Sequence, residues 1–169
     1  MLILERRDHA EARGAKIYAV IRGVGAGGEG RRNGKTPSGQ GVRNAINAAL
    51  RDAGLSPSDV GHVNAHGAGT IREDQVEAQA IHAVLGDAPV FAPKSYFGNL
   101  GAGSGMVEAV ASVLALEHGL LPATLNYETP DPACPINVTR GAPQPLKTEV
   151  AVCLNTTAAG QAAAVVFSK

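Results

Sequence analysis

Apolar and small residues recur along this chain in two spacings, one of helices and one of strands. Val42, Ala45, Ile46, Ala49 and Leu50 fall at i, i+3, i+4, i+7 and i+8. That single stripe predicts a helix over Gly41 to Ala53, with Gly54 placed to end it. A second helix is expected over Asp74 to Leu85, where Asp74 can cap the first turn and Glu77, three positions later, can complete a capping box. A third is expected over Gly103 to His118. There Met106, Val107, Val110, Val113, Leu114 and Leu116 cover so much of the surface that burial on most sides follows.

Shorter runs rich in β-branched residues predict strands at Met1 to Glu5, Lys16 to Val24, Gly61 to Ala65, Val90 to Lys94, Val150 to Leu154 and Ala162 to Ser168. The last two are separated by Asn155 to Gln161, a length that suits a hairpin. Arg6 to Ala15 reads as a turn or one or two helical turns. From Leu120 to Lys147, Pro122, Pro130, Pro132, Pro135, Pro143 and Pro145 forbid long regular elements, which predicts an extended, wrapping segment. After the first short run the order is β-α-β-α-β-α-β-β. It implies an α/β fold whose parallel strands are joined by right-handed crossovers, with one antiparallel strand at the end. No internal repeat is visible.

Composition narrows the picture modestly. The 169 residues are the size of one ordinary domain, and 15 basic residues balance 15 acidic ones. A net charge of zero removes the electrostatic case for nucleic acid or an anionic membrane surface. No apolar run reaches the roughly 18 residues of a membrane span, and Met1 to Leu4 is too short for a signal peptide, so the cytoplasm is the expected location. Cys134 and Cys153 have no pairing or metal spacing and read as thiols of a reducing compartment. The 21 glycines favour closely layered elements.

Candidate chemistry gathers where two expected strands end. Val63-Asn64-Ala65 runs into His66-Gly67-Ala68-Gly69-Thr70, and the next strand runs through Lys94-Ser95 into Gly98-Asn99 and the glycine-rich Gly101 to Gly105. Open α/β sheets place their sites at such carboxyl ends, and these two offer His66, Lys94 and Asn99. Two spellings mislead. Gly23-Val24-Gly25-Ala26-Gly27-Gly28 matches a dinucleotide fingerprint, but no helical pattern follows directly. Gly34-Lys35-Thr36 imitates a phosphate-binding loop, but Glu29 stands where that loop needs glycine. Gly25 to Gly39 therefore reads as a flexible basic surface loop. His9, His62, His82 and His118 read as solvated residues of turns or helices.

His66-Gly67-Ala68-Gly69-Thr70, Asp74-x-x-Glu77-Ala78, Lys94-Ser95 with Gly98, Gly101 to Gly105, Leu121-Pro122-Ala123-Thr124-Leu125-Asn126 and Pro130-Asp131-Pro132 occur in the order found in one family. The chain resembles the C-terminal half of β-ketoacyl-acyl-carrier-protein synthases, condensing enzymes of the thiolase fold. Residues 1 to 15 resemble the end of that family's N-terminal half. The resemblance implies one thiolase-like domain over residues 1 to 169, a five-stranded mixed sheet layered with helices, with 120 to 147 as its wrapping segment. It implies decarboxylative Claisen condensation in fatty-acid or polyketide synthesis, with no cofactor and no metal. The substrates would be acyl-carrier-protein or CoA thioesters.

Carried over position by position, His66 matches the first family histidine and Lys94 the family lysine, while Asn99 stands where the second histidine is expected. Related condensing enzymes use a Cys-His-Asn set, so an asparagine donor is compatible with the chemistry. Thr70 matches a threonine that holds the pantetheine arm, and its usual companion is replaced by Ala68. Gly160 is implied at the substrate, while Asp74, Glu77 and Asn155 are implied as supporting residues. Asn155 to Gln161 lacks the family's gating aromatic residue. Neither Cys134 nor Cys153 matches the nucleophile, which lies in the family's N-terminal half. The resemblance thus implies inactivity without that half, and the expected partner is a separate N-terminal-half subunit or, to cover an apolar face, another copy of this chain as a homo-oligomer. Its alternative is a non-catalytic partner subunit like the chain-length factors.

Overall fold

The computed structural model describes residues 2–30 and 37–169. The segment Gly34-Lys35-Thr36 lies outside the described residues. In chain order the elements are α1 (Arg7–Ala12), β1 (Val20–Gly28), α2 (Gln40–Ala53), β2 (His62–Asn64), α3 (Ile71–Leu85), β3 (Pro89–Phe91), α4 (Lys94–Phe97), α5 (Ser104–His118), β4 (Leu120–Leu121), β5 (Asn137–Val138), β6 (Gln144–Pro145), β7 (Val150–Thr156) and β8 (Gln161–Ser168). The main sheet has the order β1-β8-β7-β2-β3-β5, and β8 alone runs antiparallel to its neighbours. Helices cover both faces, as an α/β layer requires. On one side Ile46, Leu50 and Ile81 of α2 and α3 pack on Val63, Val152 and Val166. On the other, Ala109 and Leu116 of α5 pack on Ala151, Cys153 and Phe167.

The sheet gains a sixth strand over the expected five because Asn137–Val138, inside the proline-rich segment, pairs in parallel with Pro89 and Val90. Two residues between Pro135 and Pro143 suffice for a ladder of two pairs. The strand expected at the amino terminus does not form. Ile3 and Leu4 are 77% and 70% exposed and pair with no strand among the described residues. The next strand begins at Val20 rather than Lys16 and continues to Gly28, because its register is set by β8. Val20 pairs with Ser168 and Gly28 with Gln161, the two ends of that partner.

Gly25 to Gly28 is therefore strand and not the start of a loop. Glycines 23, 25 and 27 point alternate residues at α2, and the helix presents Gly41, Ala45, Ala49 and Ala53 in return. A Cβ on Gly25 would lie 2.2 Å from the Ala45 carbonyl oxygen, and one on Gly27 2.1 Å from that of Gly41. Backbone meets backbone across this seam, a close approach that glycine allows. Its spelling resembles a cofactor loop only because glycine serves both purposes.

Because β1, β2, β3 and β7 all run the same way, their carboxyl ends lie along one edge of the sheet. The loops that carry His66, Lys94, Asn99 and Gly160 all leave from that edge.

Gly25→Ala should lower stability by about 3 kcal/mol, the upper range for an overpacked core, because its clash is with helix backbone that cannot rotate away. Gly28→Ala, where a Cβ meets nothing within 4 Å, should change it by less than about 0.5 kcal/mol. Thermal unfolding of the two variants compares them directly, and equal losses would contradict the seam.

Candidate active site

The site is built around a lysine withdrawn from water. Lys94 is 7% exposed and Glu108, from α5, is 1% exposed, and the two form a salt bridge. The Lys94 ammonium also donates to the His66 carbonyl oxygen (2.6 Å) and lies 3.2 Å from His66 Nδ1. Three protons thus meet three acceptors. Lys94 does not end a strand as expected. β3 stops at Phe91, Pro93 takes a helical conformation, and Lys94 opens the short α4, which turns the side chain inward.

His66 follows β2 in a loop whose backbone is held by two carboxylates, the buried Glu77 and the partly exposed Asp74. The His66 and Gly67 N–H groups donate to the two oxygens of Glu77 (2.7 and 2.8 Å), and the Gly69 N–H donates to Asp74 (3.1 and 3.2 Å). The capping box expected from Asp74 and Glu77 is not there. α3 begins three residues earlier, at Ile71, so both carboxylates reach back to the loop from within the helix. Burial pushes the Glu77 carboxyl up to about 7, against the pull of its two N–H donors. Burial also lowers His66 to about 4, and the Lys94 charge adds to the effect. The imidazole is neutral near pH 7. With Nδ1 facing the lysine, its proton sits on Nε2.

Asn99 is exposed and ends α4's turn, with its Oδ1 accepting from the Gly101 N–H (2.9 Å) and the Ser104 hydroxyl (3.2 Å). Lys94 and Asn99 line a cleft of about 490 Å³ together with Gly67, Gly69 and Thr70, and with Tyr127 and Asp131 of the proline-rich segment. His66 is not in that lining. Gly160 is on a different, smaller cleft of about 280 Å³, which it shares with Thr70, Glu73 and Val76. Thr70 donates to Glu73 (3.2 Å) and borders both clefts. The need for glycine at 160 is explained by packing: φ is +87°, and a Cβ would lie 2.5 Å from the Glu29 carbonyl oxygen. Asn155 donates to the second oxygen of Glu108 (3.4 Å).

Sequence reasoning missed two residues here. Glu108 carries no motif by itself; its signal is a carboxylate in the apolar first half of α5, one turn from Ser104 and Ser112. His62 is not solvated but fully buried in β2, and burial alone lowers it to about 4. Both its ring nitrogens lack partners among the described residues. The two thiols are poor nucleophiles. Burial raises Cys134 and pushes Cys153 up to about 12. Among the described residues no group of histidine, cysteine and acidic side chains is arranged to hold a metal, and no helix is long and apolar enough to cross a membrane.

A histidine held near 4 in the fold and near 6.5 in the unfolded chain takes up its proton only on unfolding, so its contribution is complete above pH 6.5 and lost as pH falls toward 4. His62→Leu should therefore make stability less steep in pH between 4.5 and 6.5, by about 1.4 kcal/mol per pH unit. Urea unfolding across that range measures it. Parallel profiles for the variant and the wild type would show that His62 is not held neutral.

The family model described as beta-ketoacyl synthase, C-terminal domain, matches residues 18–128, a span that contains His66, Lys94, Asn99 and Glu108. Nodulation protein E of Rhizobium leguminosarum bv. trifolii is 40% identical over 149 residues, which are 85% of this chain and 37% of that protein. Among solved structures, the ishigamide ketosynthase/chain length factor has a TM-score of 0.90 and 31% identity, covering 96% of this chain and 41% of that one. A type II polyketide ketosynthase in complex with its acyl-carrier protein has a TM-score of 0.89 and 32% identity, covering 97% and 41%. The chain spans about two fifths of the length of these proteins. With the fold, the strand-end loops and the matched residues in agreement, the chain belongs to the β-ketoacyl synthase family, as a thiolase-like C-terminal domain.

Proposed function

We propose that residues 1–169 act as one thiolase-like half of a β-ketoacyl synthase of fatty-acid or polyketide synthesis, with His66, Lys94 and Asn99 as its share of a decarboxylative Claisen site. The observation that carries this reading is the half-buried His66 imidazole whose Nδ1 lies 3.2 Å from the ammonium of the buried Lys94–Glu108 pair. When a malonyl thioester loses carbon dioxide, the electrons of the broken carbon–carbon bond move into an enolate and charge builds on the thioester oxygen. The Nε2–H of His66 and the Nδ2–H of Asn99 are donors suited to that oxygen, and such donors act mainly on the transition state. The enolate carbon then attacks an acyl thioester, and the acyl-bearing thiol leaves. Cys134 and Cys153 do not suit that thiol, so a cysteine-bearing N-terminal half supplies it. The substrates are acyl-carrier-protein or CoA thioesters, in keeping with a structural neighbour that holds its carrier protein. Thr70 is a contact for the pantetheine arm.

α5 supports the need for a partner surface. Its buried positions include Ser104, Glu108 and Ser112, while Met106 and Leu114 are 51% and 45% exposed. A helix that buries three polar residues while leaving large apolar ones exposed wants a second layer, which is either an N-terminal-half subunit or another copy of this chain. The non-catalytic reading, a chain-length-factor-like subunit, is favoured by one observation: Asn155 to Gln161 carries no aromatic gate.

A single assay separates these readings. The purified chain, given a malonyl thioester, should release carbon dioxide slowly, and His66→Ala should reduce that release about a hundredfold, the usual loss of one such donor. Condensed product should form only when a cysteine-bearing N-terminal half is added. Release indifferent to His66→Ala, or β-ketoacyl product from this chain alone, would contradict the proposal.

A further inference from the structure

We infer that Ser104 is the positioning residue that makes Asn99 a one-directional hydrogen-bond donor; the inference rests on the reading of Asn99 as a site donor. An exposed asparagine amide can turn by 180° and exchange its donor and acceptor ends. Here the surroundings remove that choice. The Gly101 N–H donates to Oδ1 at 2.9 Å, and a backbone N–H can only donate. The Ser104 hydroxyl is fully buried and accepts from the Leu100 N–H at 2.9 Å, so its own single proton goes to Asn99 Oδ1 at 3.2 Å. A flipped amide would set Nδ2 against the Gly101 N–H and leave the serine proton without its acceptor. The amino end is thus the one left for a ligand in the cleft that Asn99 lines.

The placement of Ser104 gives this local bond a wider meaning. Ser104 and Glu108 are one turn apart on the buried face of α5, and Glu108 pairs with Lys94. One helix face therefore sets both the lysine that orients His66 and the serine that orients Asn99. A shift of α5 would disturb the two donors together.

The test uses the 169-residue chain and two readouts. The first is the ¹H–¹⁵N side-chain amide pair of Asn99, identified by its loss in Asn99→Asp; the second is malonyl-thioester decarboxylation, read as kcat and KM. Ser104→Ala should shift or broaden the amide pair and lower kcat about tenfold while KM stays within twofold. Ser104→Cys, close in shape with a weaker donor, should fall between, and it serves as the second variant if the alanine form folds poorly. A kcat within twofold of wild type in both variants would overturn the inference, whatever the spectrum shows. If the wild-type chain releases no carbon dioxide, the proposed function fails, and the spectrum alone decides: an unmoved Asn99 pair overturns the inference and a moved one supports it.

Discussion

A charged pair taken out of water at the carboxyl edge of the sheet is the constraint that orders everything around it. Lys94 and Glu108 come from different layers, one from the turn after β3 and the other from α5. Burying both ions is costly, and the cost is offset only if every remaining lone pair and proton is matched. That demand explains the neighbourhood. The third proton of Lys94 finds His66, Asn155 covers the second oxygen of Glu108, and the Asn64 amide clamps α5 by donating to the Glu108 carbonyl (2.7 Å) and the Ser112 hydroxyl (3.0 Å). Removing either ion would leave the other buried and unpaired, a loss of about 3–5 kcal/mol.

The same constraint shapes α5. Its inward face carries Ser104, Glu108 and Ser112 at successive turns beside Ala109, Ala115 and Leu116, so only part of its apolar surface can be buried on that side. The sequence pattern led to the expectation of burial on most sides, and within this chain Met106, Val107 and Leu114 remain exposed. The wrap from Leu120 to Lys147 does not cover them; it contributes β5 to the sheet edge and one wall of the larger cleft instead.

Long periodic segments were legible because their pattern records burial. α2 and its closing glycine, the β7–β8 hairpin and the parallel strands with one antiparallel strand at the end all follow from spacing, and the strand-end loop at 66–70 from residue type. What was not legible has a physical reason in each case. The extent of β1 depends on β8, more than a hundred residues away, and glycine cannot signal whether it serves a loop or a close seam. Asp74 and Glu77 have capping-box spacing, and only the true start of α3 shows that they reach the His66 loop. Glu108 is a polar residue in apolar surroundings whose partner Lys94 comes from another layer, and His62 is a polar residue buried without a partner among the described residues, which no spacing records.

The central claim is that burial, reinforced by the Lys94 charge, holds His66 neutral, and that Lys94 against Nδ1 leaves its proton on Nε2. Following the His66 ring by NMR as pH is lowered tests this most directly, since the two ring nitrogens report tautomer and charge separately. The account predicts an Nε2–H imidazole at pH 7 that takes up its second proton near pH 4. An Nδ1–H tautomer at pH 7, or protonation at the ordinary value near 6.5, would contradict it.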